Sequence, residues 1–222
     1  MLMAPAAQLP AHGPGFEVPL TWRVRGLQWG TQSLVQLIEH AAERVAREQP
    51  GAVLYVADLS RHDGAPTEWH RSHRAGRDAD LLFFARDESG DPAPAPLQMV
   101  RFDRHGVAWT LTGRRYFDTA RNWLLVRALL EDRAARVERI FISEPLKSLL
   151  VDWARARGEP GWLIEKAEFV LGQPSDSTPH DDHMHVRVSG GWEVHRVARS
   201  RIHRRHQKAR PLQRSGLRLI AG

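Results

Sequence analysis

Between Thr31 and Gln49 the apolar residues Leu34, Leu37, Ile38, Ala41 and Val45 return every three or four positions, the repeat of one helical face. Thr31 is placed to cap the first turn, and Pro50-Gly51 to end the helix. The pattern then changes: AVLYVAD (52–58) is a short apolar run bounded by turn formers and predicts a buried strand that delivers Asp58 and Ser60 at its C-terminal end. LSRHDGAPTEWHRSHRAGRD (59–78) is polar and predicts a loop, one long enough to suggest a functional role. ADLLFFA (79–85) returns to strand density, and the proline-rich ESGDPAPAP (88–96) predicts a surface excursion.

Farther on, LQMVRF and GVAWTL flank DRHG as a hairpin would. Asp118 can cap the helix TARNWLLVRALLED, whose residues Trp123, Leu124, Val126, Ala128, Leu129 and Leu130 are expected to face mostly inward. VERIFIS predicts a strand and EPLKSLLVDWARARG a helix with Gly158 near its end, while 161–179 offers no regular pattern and is expected to be a connection. HMHVRV (183–188) predicts a strand of mixed face. Helices and strands are mixed without regular alternation, so the expected fold is a single α+β domain with a central, largely antiparallel sheet flanked by helices.

Composition narrows the chemistry. A chain of 222 residues, 42% hydrophobic and 26% charged, has material for one sizeable core. It has no cysteine, which removes disulfides, thiolate nucleophiles and sulfur-ligated metals, and leaves nitrogen and oxygen as the only transition-metal donors. No segment reaches the roughly 18 apolar residues of a membrane span, and neither a Gly-x-Gly-x-x-Gly nor a Gly-x-x-x-x-Gly-Lys phosphate loop occurs. The net charge of +6 is uneven: from Val194 onward there are nine Arg or Lys and no acid, and the rest of the chain is negative. Such a tail suits attraction to a polyanion, although RIHRRHQKAR lacks the interleaved aromatics of a specific nucleic-acid binder.

Two polar clusters stand where loops meet apolar strands. HRSHRAGRDAD carries His70, His73, Asp78 and Asp80; HDDHMH, some hundred residues later, carries His180, Asp181, Asp182, His183 and His185. On a strand, side chains alternate, so His183 and His185 share a face, as Asp78 and Asp80 do. If these strand ends are neighbours, imidazoles and a carboxylate meet at one metal, and three such ligands with an open position suit zinc and an activated water. His73 and Asp80 are too far apart in sequence for one strand face, so a turn at Ala75-Gly76 must bring them together, and Gly76 tolerates the positive φ this requires. The residues alone leave Asp78 and Asp80 as rivals.

DLSRHDGAPTEWHRSHRAGRDADL, FDTARNWLLVRALL, VERIFISEPLKSLL and HDDHMHVRV together resemble the penicillin-insensitive murein endopeptidase family, within the wider group of lysostaphin-type, D-Ala-D-Ala metallopeptidase and hedgehog-like domains; the likeness runs from Pro10 to Val188. The resemblance implies zinc held by His73, Asp80 and His185, with His183 activating water or steadying the oxyanion and His180 and His70 on opposite sides of the cleft. It leaves open which histidine is the base. Asp78, Asp181 and Asp182 are candidates to orient these groups, with at least one of the last two expected to be an exposed turn acid, and Arg74, Arg77 and Arg187 are candidates to clamp substrate carboxylates. The implied activity is cleavage of the D-alanyl-meso-diaminopimelyl cross-link of peptidoglycan, in a periplasmic or extracellular setting, with any signal peptide absent from this chain. The implied organisation is a zinc metallopeptidase domain over 10–193 and a basic extension over 194–222 that anionic wall polymer would attract. Two rival classes are a catalytically silent zinc-containing wall-recognition module and, less favoured, a nucleic-acid-binding protein acting through the tail.

Overall fold

The structure, a computed structural model, describes residues 7–68, 70, 73 and 75–189. Trp69, Arg74 and the basic segment 194–222 lie outside these residues. In chain order come β1 (Ala7–Gln8), β2 (His12–Gly13), β3 (Phe16–Glu17), the single turn α1 (Leu20–Arg23), β4 (Trp29–Gly30), α2 (Gln32–Glu48) and β5 (Leu54–Tyr55). They are followed by β6 (Asp78–Leu82), β7 (Ala85–Arg86), β8 (Val107–Thr110), β9 (Gly113–Phe117), α3 (Thr119–Glu131), β10 (Val137–Phe141), α4 (Glu144–Ala156), α5 (Gly161–Val170), β11 (Leu171–Gly172) and β12 (His183–Val188).

The central sheet has the order β11-β10-β12-β6, parallel between β10 and β11 and antiparallel in its other two pairings. Smaller two- and three-stranded sheets surround it, so the fold is α+β with mixed sheets flanked by helices. Strand β12 alternates cleanly: Met184, Val186 and Val188 enter the core, while His183, His185 and Arg187 project from the opposite face.

The helices form for the reasons their sequences state. Thr31 Oγ1 accepts from Leu34 N at 3.2 Å and starts α2, which buries Leu34, Val35, Leu37, Ile38, Ala41, Ala42 and Val45. The Asp118 carboxylate accepts from Arg121 N at 3.2 Å and starts α3. Leu125, and not Leu124, joins Leu129 and Leu130 as a fully buried leucine there, because α3 packs against α2, α4 and α5 and is covered on more than one side.

Two expectations change. DRHG does turn, with Asp103 N donating to Val107 O, but β8 pairs with β9 instead of with 97–102. Gly113, at φ +106°, reverses the chain after Thr110, and Phe102 N is taken by Asp181 O at 2.8 Å, which ties that stretch to the second polar cluster. The segment 161–179 is not all connection: Leu163, Ala167 and Val170 recur at helical spacing and bury one side of α5.

Gly76 has φ +67°, and a Cβ there would lie 3.0 Å from Gly30 C and Thr31 N. Its carbonyl accepts from Thr31 N at 2.7 Å and its N–H donates to Ser60 Oγ at 3.1 Å, so the turn between His73 and Asp80 is pinned to the start of α2 and to the strand-end loop. Gly76→Ala is expected to cost about 1–2 kcal/mol from the left-handed backbone alone, and more from the backbone clash. Urea denaturation of the variant checks this.

Candidate metal centre

Four segments converge over the polar face of β6 and β12. The antiparallel register sets His185 across from Asp80, Arg187 across from Asp78 and His183 across from Leu82. The Gly76 turn brings His73 in from the loop. His73 and Asp80 have no exposure, and His185 is 5% exposed.

Three donor atoms form a tight triangle. His73 Nε2 lies 3.3 Å from Asp80 Oδ1, His185 Nδ1 lies 3.0 Å from the same oxygen, and the two imidazole nitrogens are 3.3 Å apart. Ligands tetrahedrally placed about 2.0–2.1 Å from zinc are separated by roughly 3.3 Å. Hydrogen bonds on the far side of each ring fix the tautomers. His73 Nδ1 donates to Leu59 O at 2.6 Å and His185 Nε2 donates to Asp78 Oδ1 at 2.9 Å, so in the neutral rings the nitrogens that face Asp80 carry the lone pairs. Among the described residues neither Asp80 oxygen accepts a hydrogen bond of good geometry. Two inward-facing imidazole nitrogens beside a buried carboxylate with unsatisfied oxygens make a donor set that could hold a cation.

Electrostatics of the metal-free cluster agree. Burial pushes the Asp80 carboxyl up, but His73, His183 and His185 outweigh it and hold it well below the usual carboxylate range. Burial lowers His183, yet Asp80 and the Asp182 carboxylate, 2.6 Å from its Nδ1, push it up to about 10. His183 Nε2 lies 3.3 Å from Asp80 Oδ1, on the same oxygen as the triangle. His180 moves the other way, to about 4, through burial and the neighbouring His183 and His185. Gln173 Oε1 accepts from its backbone N–H at 2.8 Å and lies 3.3 Å from its Nδ1, which steadies the neutral ring.

Around this centre each remaining candidate has a place. His70 stacks on His73 with ring centroids 4.1 Å apart; its Nε2 is 2.8 Å from Asp58 Oδ2 and its Nδ1 is 3.7 Å from Asp80 Oδ2. Asp78 accepts from both His185 Nε2 and Arg187 Nε, the latter at 2.7 Å. Arg187, read as a substrate clamp, therefore spends its Nε on Asp78 and lies over Phe141. The acid that reaches His183 is Asp182. Asp181, the other acid offered for that role, has its Oδ1 3.7 Å from Arg101 Nε and, among the described residues, no hydrogen bond or ion pair with a histidine. Arg74 lies outside the described residues.

Sequence reasoning missed Gln173 and Phe141. Gln173 sat in the segment read as irregular. Phe141, 5.2 Å from the His185 ring and 5.6 Å from His180, looked like core because its strand is apolar. Asp58, which the sequence leaves as either a cap for the polar loop or a residue of the cleft edge, is fully buried and held also by Arg25 at 2.7 Å. A lone acid closing an apolar strand was the signal for it.

Among the described residues two groups of donors can thus hold a metal ion, His70 with His73 and Asp80, and His180 with His183 and His185; within each the donor atoms lie within 4.8 Å of one another. The Asp80 to His185 contact joins them. A family model described as penicillin-insensitive murein endopeptidase matches residues 2–205, nearly the whole chain. The chain belongs to the penicillin-insensitive murein endopeptidase family. Membership makes it a peptidase by family, with candidate His/Asp metal sites of the kind a metallopeptidase needs, on an α+β scaffold consistent with that family. A search of curated proteins finds no match.

Proposed function

We propose that this murein endopeptidase hydrolyses the D-alanyl-meso-diaminopimelyl bond of peptidoglycan cross-links, using zinc held by His73, Asp80 and His185. The observation that carries the reading is the triangle of donor atoms at 3.0–3.3 Å, in which both histidines have their outer nitrogens already committed. Bound zinc would polarise the scissile carbonyl and lower the pKa of the attacking water. In the metal-free cluster Asp80 and Asp182 push His183 up to about 10; zinc on Asp80 would draw off one of these two carboxylates and leave His183, backed by Asp182, able to take the proton and hold it as an imidazolium. It then lies beside the developing oxyanion as a fixed positive charge. His180, kept neutral and oriented by Gln173, accepts or relays a proton on the opposite side from His70. His70, locked to Asp58, walls the ligand His73 and limits how far that ring can turn.

Peptidoglycan as substrate implies work in the periplasm or outside the cell, and among the described residues no helix is long and apolar enough to cross a membrane. The nine cations after Val194 would hold the enzyme near anionic wall polymer.

Purified cross-linked muropeptides, incubated with the protein with and without chelator, test the reading. Metal-dependent conversion of dimers to monomers, with product masses that place the cut after D-alanine, is the expected result. Stoichiometric zinc binding without any cleavage would instead identify a recognition module. Asp78→Asn is expected to keep the fold but weaken zinc affinity about 10–100-fold, because the amide can turn its donor toward Nε2 of His185 and disturb the tautomer; competition with a chromogenic chelator measures this.

A further inference from the structure

Beside the centre lies a second built feature that the cleavage chemistry does not use. A cavity of about 200 Å³ opens next to Asp182, and Leu82, the register partner of His183, forms part of its wall. Its volume exceeds the roughly 150 Å³ that accommodates a benzene ring. Phe83, Phe84, Val100 and Phe102 make it apolar. The proline-rich segment, expected to be a mere surface excursion, closes one side: Pro92, Pro94 and Pro96, at period two on extended chain, all line it. Ala93 N donating to Ala85 O at 2.9 Å holds that strap in place.

The polar lining is unusual for so apolar a space. Arg115 and Arg121 both reach it. The Arg121 side chain is only 10% exposed, its Nη1 is 2.6 Å from Asp118 Oδ2, and among the described residues its Nε has no partner. Asp118 is shared with Arg86 at 2.8 Å, so one carboxylate faces two guanidinium groups. Arg115 is tied to the neutral oxygens of Thr112 and Arg114 and adds a further positive charge. Asp182 is committed to His183. Apolar walls ending in surplus guanidinium suit an apolar chain that terminates in a carboxylate.

The geometry points to this cavity as a specificity recess, beside the His183–Asp182 pair, that takes an apolar, carboxylate-terminated side chain of the wall peptide. The inference rests on the endopeptidase reading for its substrate, while the recess itself can be tested without turnover. Hexanoate is titrated into the zinc-loaded full chain and followed by methyl NMR, with hexanamide as the uncharged probe. Saturable shifts centred on Val100 and Leu82 are expected, at least about tenfold weaker for the amide and for Arg115→Gln, the loss of one charge-assisted hydrogen bond, and absent in Val100→Trp, which fills the space. Zinc content and thermal midpoint of each variant confirm that it is folded. In muropeptide cleavage Arg115→Gln is expected to raise KM with little change in kcat.

No saturable shifts, shifts confined to the histidines, equal binding by Arg115→Gln, or an unchanged KM would overturn the recess. If muropeptides are cleaved and hexanoate fails to bind, the recess falls alone. If hexanoate follows the expected pattern and no wall peptide is cleaved, the carboxylate site stands and the endopeptidase reading falls.

Discussion

Asp80→Asn is expected to abolish zinc retention and muropeptide cleavage together while leaving the metal-free protein folded. The Asn amide can donate to His73 Nε2 or His185 Nδ1, which lie within 3.0–3.3 Å of the Asp80 oxygen, so the buried acceptors gain a partner as the negative charge is lost. Zinc at a thousandfold excess over its dissociation constant should stabilise the wild type by about 4 kcal/mol, roughly 10 °C for a domain of this size. The variant should show no such shift in a thermal melt. In the wild type, binding must also displace protons: the metal-free His185 is raised, since Asp78 and Asp80 outweigh burial. Affinity therefore falls as the pH drops below the raised His185 value, where the imidazole must give up its proton, and calorimetry in two buffers of different ionisation enthalpy should detect the released proton. A zinc-dependent shift that survives Asp80→Asn would remove this carboxylate from the ligand set.

His183→Ala separates binding from turnover. The side chain lies outside the tight triangle but 3.3 Å from the Asp80 oxygen that belongs to it, with Asp182 behind it at 2.6 Å. Its removal should lower kcat by about 10²–10⁴, the usual worth of a positioned proton acceptor, while zinc stoichiometry stays at one per chain. Some stability is also lost, because Asp182 is only 13% exposed and is left 3.8 Å from Arg101 as its nearest cation. Progress curves on muropeptide dimers, paired with metal analysis of the same samples, give both readings. Activity within a few-fold of wild type would move the proton-accepting role to His180, the other half-buried imidazole on that side.

How much of this was legible depended on whether a signal was local. The α2 and α3 helices were readable because their caps, Thr31 and Asp118, act within three residues and their apolar faces repeat along one element. Strand β12 was readable from its alternation. By contrast, β9 reads GRRYF, and its arginines mask a strand whose pairing with β8 is made across Gly113. Helix α5 follows Pro160 and begins on Gly161, which argue locally for a break, while its burial of Leu163, Ala167 and Val170 comes from packing on α3, α4 and β10. Gln173 and Phe141 gained their places at the centre only through the neighbours that folding brought to them.

The sequence by itself determined the donor chemistry: no sulfur, histidines and aspartates in two clusters, and a glycine at the one turn that must carry positive φ. It also placed Asp78 and Asp80 on a common face, since they are two residues apart on a strand, but for the same reason it could not choose between them on physical grounds. Tertiary structure gave the two acids different surroundings through register. Antiparallel pairing of β6 with β12 sets Asp80 opposite His185 and Asp78 opposite Arg187, so one acid meets two inward lone pairs and the other anchors the outer edge of a ring. A slip of that pairing by one residue would turn the polar faces of the two strands to opposite sides of the sheet, and nothing written within either segment alone prevents it.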